Sequence, residues 1–258
     1  MRVNKLISMK ANNLIRNGFT FIELSIAIII IALLIAAVSV GNNMINQAKL
    51  QSVIKDYQLY QTYFNAFVNK YNRIPGDMNT AFSIWGTKCA ANSSICNGDG
   101  SGSIDYNTDV NLNEISQAWN HLYLAGMLNM HIPPVTSITG TPGVTAPASK
   151  IEGAGYIFRS YPSVFDASVT TLCLASKDIT PSYPLLGSAL LPEEAFLIDQ
   201  KMDDGLVDTS GNFKGGITGI LRVTQGSNVS AGGCVNSSTG AYNTAQTSKA
   251  CRLLIGLN

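Results

Sequence analysis

Leu24 to Val40 is a run of seventeen residues without a charge, and a single carboxylate, Glu23, stands at its N-terminal edge. As a helix, the run is roughly 25 Å long at about 1.5 Å per residue. Adding Phe19–Ile22 brings it to the roughly 30 Å of a bilayer's hydrocarbon core. A chain with this segment must place an apolar helix in lipid or in a helical bundle. Upstream, Arg2, Lys5, Lys10 and Arg16 are unaccompanied by any acid, which holds that end on the cytoplasmic side. A carboxylate beside such a run is costly to insert, and so it points to a function.

The local sequence narrows that function. Gly18-Phe-Thr-Phe-Ile-Glu23, after a short basic leader and before a hydrophobic helix, resembles the N-terminal signal of type IV pilins and pseudopilins. The resemblance implies cleavage after Gly18 by a prepilin peptidase, N-methylation of Phe19, and a role for Glu23 in assembly. An unpaired carboxylate in the dry core of a filament would cost several kcal/mol. The new α-amino group at Phe19 of a neighbouring subunit is its natural partner, and such a buried pair sets register more than it adds stability. A secretory signal ending at Ala36-Ala37-Val38-Ser39 is the competing reading, but it leaves the hexamer and Glu23 without a role.

The chain has 258 residues, with 17 basic and 16 acidic; the leader holds four of the bases, so the remainder carries 13 bases against 16 acids, a net of −3. No basic footprint for nucleic acid exists in that balance. There is no Gly-x-Ser-x-Gly, His-Glu-x-x-His or phosphate-cradling glycine loop, and His121 and His131 are isolated, in the manner of packing residues rather than ligands. The expected protein is not an enzyme.

From Met44 the pattern turns amphipathic: Ile45, Val53, Tyr57, Tyr60, Phe64, Phe67 and Tyr71 recur mostly at three- and four-residue intervals. The N-terminal helix therefore runs on until Asn72-Arg-Ile-Pro75-Gly76 stops it. A polar stretch follows, Trp85 to Val110. A second helix is expected from an Asn111/Glu114 capping box, with Ile115, Ala118, Trp119, Leu122 and Ala125 on one face and an end near Gly126. A third should run from Pro192 to about Gly205. Strand-like runs begin at Gly155, Ser168, Gly216 and Cys251. The divisions are a cleaved leader (1–18), a membrane or filament-core half-helix (19–40), an amphipathic half-helix (41–74) and a head (75–258). The fold class is α+β and pilin-like, a long N-terminal helix packed against an antiparallel sheet.

All five cysteines lie after the apolar run, on the oxidising side, where disulfides are the default. Cys89–Cys96 would close a short polar loop. Cys234–Cys251 resembles the C-terminal disulfide loop of pilins. Cys173, between two leucines, would remain free and buried.

Two oxygen-rich clusters suggest a structural calcium as the one cofactor. Asn97, Asp99, Ser101 and Asp105 half-match a calcium loop that lacks its closing glutamate. Asp199, Asp203, Asp204 and Asp208 surround Gly205, and acids at a helix C-terminus oppose its dipole.

The sequence thus reads as a minor type IV pilin or a type II secretion pseudopilin. Its expected partners are other subunits, the prepilin peptidase, an inner-membrane assembly platform and the membrane, with the head periplasmic or extracellular. The rival is a tethered adhesin or binding module whose helix only anchors it.

Overall fold

The computed structural model describes residues 18–105, 114–133, 140–162, 164–166, 168–177, 185–203, 220–227, 229, 233–235 and 242–257. The chain divides into two compact units, Met1–Asn46 and Gln47–Asn258. Helix α1 covers Phe21–Tyr71.

In the first unit, α1 has no apolar stripe because nearly every position is apolar. Isoleucines 28 to 31 are each more than half exposed. β-branched residues are mediocre helix formers in water, whereas lipid forces every backbone group to be satisfied within the segment. The helix is long and apolar enough to cross a membrane.

In the second unit the helix carries a narrow stripe. Leu50, Val53, Tyr57, Tyr60, Phe64 and Phe67 are buried at alternating three- and four-residue steps, which keeps them on one face. That face meets a four-stranded antiparallel sheet, β1 (Ala154–Ser160), β2 (Thr170–Ser176), β3 (Leu221–Gln225) and β4 (Cys251–Gly256), in the order β1-β2-β4-β3. Side chains alternate across a strand, so Tyr156 and Phe158 of β1 point to α1. The Tyr60 and Tyr156 rings are 5.3 Å apart and those of Phe64 and Phe158 5.7 Å. The Tyr57 hydroxyl donates to the Gly256 carbonyl at 2.9 Å, and that of Tyr156 donates to Asp56 at 2.9 Å. The architecture is α+β, with the helix packed on the sheet.

Asn72 ends α1 by turning left-handed, at φ 50°, a conformation that asparagine tolerates as a helix terminator. The stretch read as polar loop contains two short helices, α2 (Ala81–Trp85) and α3 (Ser93–Cys96), joined partly by a 3₁₀ turn at Gly86–Lys88. Helices of five and four residues are too short to show a period. They are held by side chains instead. Asn92 accepts from the Ile95 amide at 3.1 Å, and Asn97 accepts from the Phe82 amide at 2.8 Å.

Helix α4 (Glu114–Leu124) places Trp119 in the core, its ring 4.3 Å from Phe158 and 5.0 Å from Tyr60. Helix α5 (Pro192–Met202) begins at a proline, and the Glu194 side chain takes the Leu191 amide at 2.9 Å. Asn111, Gly205 and residues 216–219, on which sequence expectations fell, lie outside the described residues.

Candidate functional site

Helix α1 starts inside the hexamer, at Phe21. Thr20 is the residue before its first turn, and Glu23 lies three residues on. The Thr20 amide and hydroxyl donate to Glu23 Oε2 at 2.8 and 2.7 Å, and the Glu23 amide donates back to Thr20 Oγ1 at 3.3 Å. This reciprocal pair is a capping box, satisfying amides that a helix start otherwise leaves open. Sequence reading assigned Glu23 to assembly alone and missed this local role, although Thr-x-x-Glu is its signature. Only Oε2 takes part, so Oε1 remains for another donor.

Gly18 and Phe19 precede the helix, and the Phe19 side chain is 88% exposed. A Cβ built on Gly18 would meet nothing within 4 Å. Nothing among the described residues requires glycine there.

In the second unit, Cys89 is bonded to Cys96 and Cys234 to Cys251. A loop of about seventeen residues closed in this way is worth roughly 3 kcal/mol by the chain-entropy argument. Cys173 is free and buried; burial pushes its thiol up from the ordinary range. His121 lies within 4.8 Å of both sulfurs of the first disulfide. Its Nδ1 accepts from the Gly76 amide at 3.0 Å, and its Nε2 pairs with the Cys96 carbonyl at 2.8 Å. Bonded sulfurs and an engaged imidazole leave no ligand set for a metal. Burial lowers His121 to about 4, so the ring is neutral.

The oxygen-rich stretch after α3 is organised differently from a calcium loop. Asn97 is occupied with α2. Asp99 approaches two carboxylates far away in sequence, Asp77 and Glu114, and the three lie within 4.8 Å of one another. Asp77 accepts from the Ser101 and Gly102 amides, both at 2.9 Å. Glu114 accepts from the Asp99 amide at 3.0 Å and the Asp105 amide at 2.9 Å. Two buried carboxylates thus fasten the glycine-rich loop. The close approach demands glycine at two points: a Cβ at Gly76 would strike the Glu114 carbonyl, and one at Gly98 the Gly76 carbonyl and Asp77 backbone.

Burial, reinforced by Asp77 and Asp99, pushes Glu114 up to about 8. It also raises Asp77, while the Ser101 amide lowers Asp99. Three carboxylates packed so closely favour a bound proton over three bare charges. Asp77 and Glu114 escaped the sequence reading because 37 positions separate them and Glu114 looked like a helix cap.

Of the second acidic set, Asp199 accepts from the Tyr242 hydroxyl at 2.7 Å and Asp203 from the Leu221 amide at 3.1 Å. Those contacts tie α5 to the C-terminal segment and to β3. Asp204 and Asp208 lie outside the described residues.

Residues 15–39 match the family described as the prokaryotic N-terminal methylation motif, the prepilin-type cleavage and methylation signal of type IV pilins and pseudopilins. No curated protein and no solved structure matches the chain. The signal implies processing by a prepilin peptidase and assembly with other pilin-type subunits. Together with the single apolar N-terminal helix, it fits a membrane-anchored, single-pass protein of structural type.

Proposed function

We propose that this chain is a minor type IV pilin or a type II secretion pseudopilin, a structural subunit of a filament extruded from the cytoplasmic membrane. The observation that carries the reading is the methylation signal at residues 15–39. The peptidase cuts between Gly18 and Phe19 and Phe19 is methylated, leaving the apolar half of α1 to bundle with its neighbours. Glu23, with Oε1 outside the capping box, accepts the Phe19 amine of an adjacent subunit and fixes the axial register. The head then stands on the periplasmic or extracellular side, where its two disulfides are stable. The calcium expected at Asn97, Asp99, Ser101 and Asp105, or at Asp199, Asp203, Asp204 and Asp208, belongs to this proposal as a head-stabilising ion, and the structure brings Asp99 beside two further carboxylates. Among the described residues, the three carboxylates close enough to share one are Asp77, Asp99 and Glu114.

N-terminal mass spectrometry of the mature protein tests the processing. A methylated Phe19 is expected; an intact Met1, or a terminus near Ser39, overturns the reading.

A second reading draws on the capping box. If Glu23 only starts the helix, an anchored adhesin needs nothing more from it. Glutamine at the third helical position preserves such a box and removes the charge, so Glu23→Gln separates the two readings. A filament subunit loses incorporation; a tethered head does not.

A further inference from the structure

The face of the sheet turned away from α1 carries three arginines. Alternation along the strands puts Arg159 of β1, Arg222 of β3 and Arg252 of β4 on that face. The pairings Arg222↔Leu254, Leu254↔Cys173 and Thr224↔Arg252 fix their places. Arg222 and Arg252 are diagonal neighbours on adjacent strands, about 7–8 Å apart at the backbone.

The segment after β1 laps over this face and sets its aromatic rings against the guanidinium groups. Arg222 lies over the Phe165 ring at 4.1 Å; Arg159 and Arg252 lie against the Tyr161 ring at 4.6 and 5.6 Å. Further contacts fix two of them in plane. The Arg252 Nε donates to Thr224 Oγ1 at 2.5 Å, and an Arg222 Nη donates to the Val164 carbonyl. Both side chains are half-buried, and no carboxylate among the described residues pairs with either.

A ring against a guanidinium leaves its N–H groups for planar acceptors. Among the described residues both Nη groups of Arg252 have no partner, nor does one of Arg222, whose Nε is buried without one. Side-chain entropy, which usually cancels most of a surface ion pair, is already lost here because ring and hydrogen bond hold each arginine. Arg222 and Arg252 are held over different rings on different strands. They therefore match successive carboxylates along an extended chain rather than one compact anion.

We propose that this sheet face docks a carboxylate-bearing polypeptide segment of a partner subunit, with Arg222 and Arg252 as its contacts. A chain whose part beyond the leader is net acidic can itself supply such segments. The partner subunit rests on the filament reading, but the binding test does not depend on cleavage at Gly18, so either can fail without the other.

The test uses the full chain in a neutral detergent. A short labelled oligoglutamate peptide is titrated by fluorescence anisotropy, with inorganic phosphate and phosphatidylglycerol vesicles as separate probes. The peptide should bind wild type, and Arg222→Gln/Arg252→Gln should weaken it about tenfold or more, one decade being about 1.4 kcal/mol. The melting temperature reports folding of each variant. If the double variant does not fold, Arg252→Gln and Arg252→Lys carry the test. Lysine keeps the charge but loses the planar fork, so it should bind at an intermediate level. Equal binding by wild type and variants, no peptide binding, or binding only of phosphate or vesicles overturns the proposal.

Discussion

Isoleucine 30 and phenylalanine 64 belong to one helix, yet Ile30 is 51% exposed and Phe64 4%. The backbone is alike in the two units, and the arrangement of apolar positions differs. In residues 24–40 apolar side chains occupy almost the whole circumference, which suits surroundings that are apolar on all sides. In residues 50–67 they form a stripe, which suits one packed partner with solvent behind. The lesson is that pattern, more than helix propensity, assigns a helix to its surroundings. The first unit is incomplete until lipid or other helices cover it, and the second is complete with its sheet. Substitutions should therefore act on different measurements in the two units.

In the first unit the effect expected falls on assembly. Glu23→Ala and Glu23→Gln should each lower incorporation into sheared filaments by about tenfold or more, corresponding to at least about 1.4 kcal/mol. Thr20→Ala loses the cap, which is typically worth about 1 kcal/mol, and keeps the carboxylate, so it should fall less. Wild-type incorporation of Glu23→Gln beside a deficient Thr20→Ala would make the cap the functional element and end the charge argument. None of the three should alter the melting of the second unit.

Next is the core of the second unit. Trp119 is fully buried against Phe158 and Tyr60, and Trp119→Ala should lower stability by about 3–5 kcal/mol. Its indole N–H has no partner among the described residues, so Trp119→Phe, which removes that donor and keeps most of the volume, should cost much less. Ile30→Ala should leave the same transition within about 0.5 kcal/mol. Near-UV circular dichroism melting of the full chain in detergent reads all three. A large shift for Ile30→Ala would show that the two units are not separate in energy.

The legibility of the chain divides along the same line. The apolar run, the hexamer and the stripe from Val53 to Tyr71 are local patterns, and local patterns survive in one dimension. The four strands were legible for the same reason, since each is a short apolar or alternating run between turn residues. The Asp77–Asp99–Glu114 group was not, because it depends on a loop folding back across positions far apart in sequence. Helices α2 and α3 were not either; they owe their ends to Asn97 and Asn92 rather than to a period. At Glu23 the sequence drew attention to the right residue and overlooked half of its chemistry, because its membrane cost hid an ordinary helix cap.

The smallest effect expected is a pH dependence confined to the second unit. Glu114 is raised to about 8 in the folded protein, against about 4.3 for an unfolded glutamate. Between those values the folded state binds more protons than the unfolded state, so stability must fall as pH rises. His121 has the opposite sign: it is lowered to about 4, and its contribution is lost as pH falls below the ordinary histidine range. Above about pH 6.5 the histidine contribution is nearly complete and adds little further slope, and the fall from there to pH 8 belongs to Glu114, at about 1 to 2 kcal/mol for one proton. Glu114→Gln should remove the slope. It should also lower stability at every pH, because an amide offers one acceptor oxygen where the Asp99 and Asp105 amides need two. Slope and offset are separate readouts of melting between pH 6.5 and 8. Calcium would replace the proton, so millimolar calcium should restore stability most at pH 8, by RT ln(1 + [L]/Kd), and magnesium should do so poorly. If calcium and chelator give superimposable curves at pH 8 while the slope persists, the cluster is a proton site that fastens the loop, and the calcium proposal at these three residues fails.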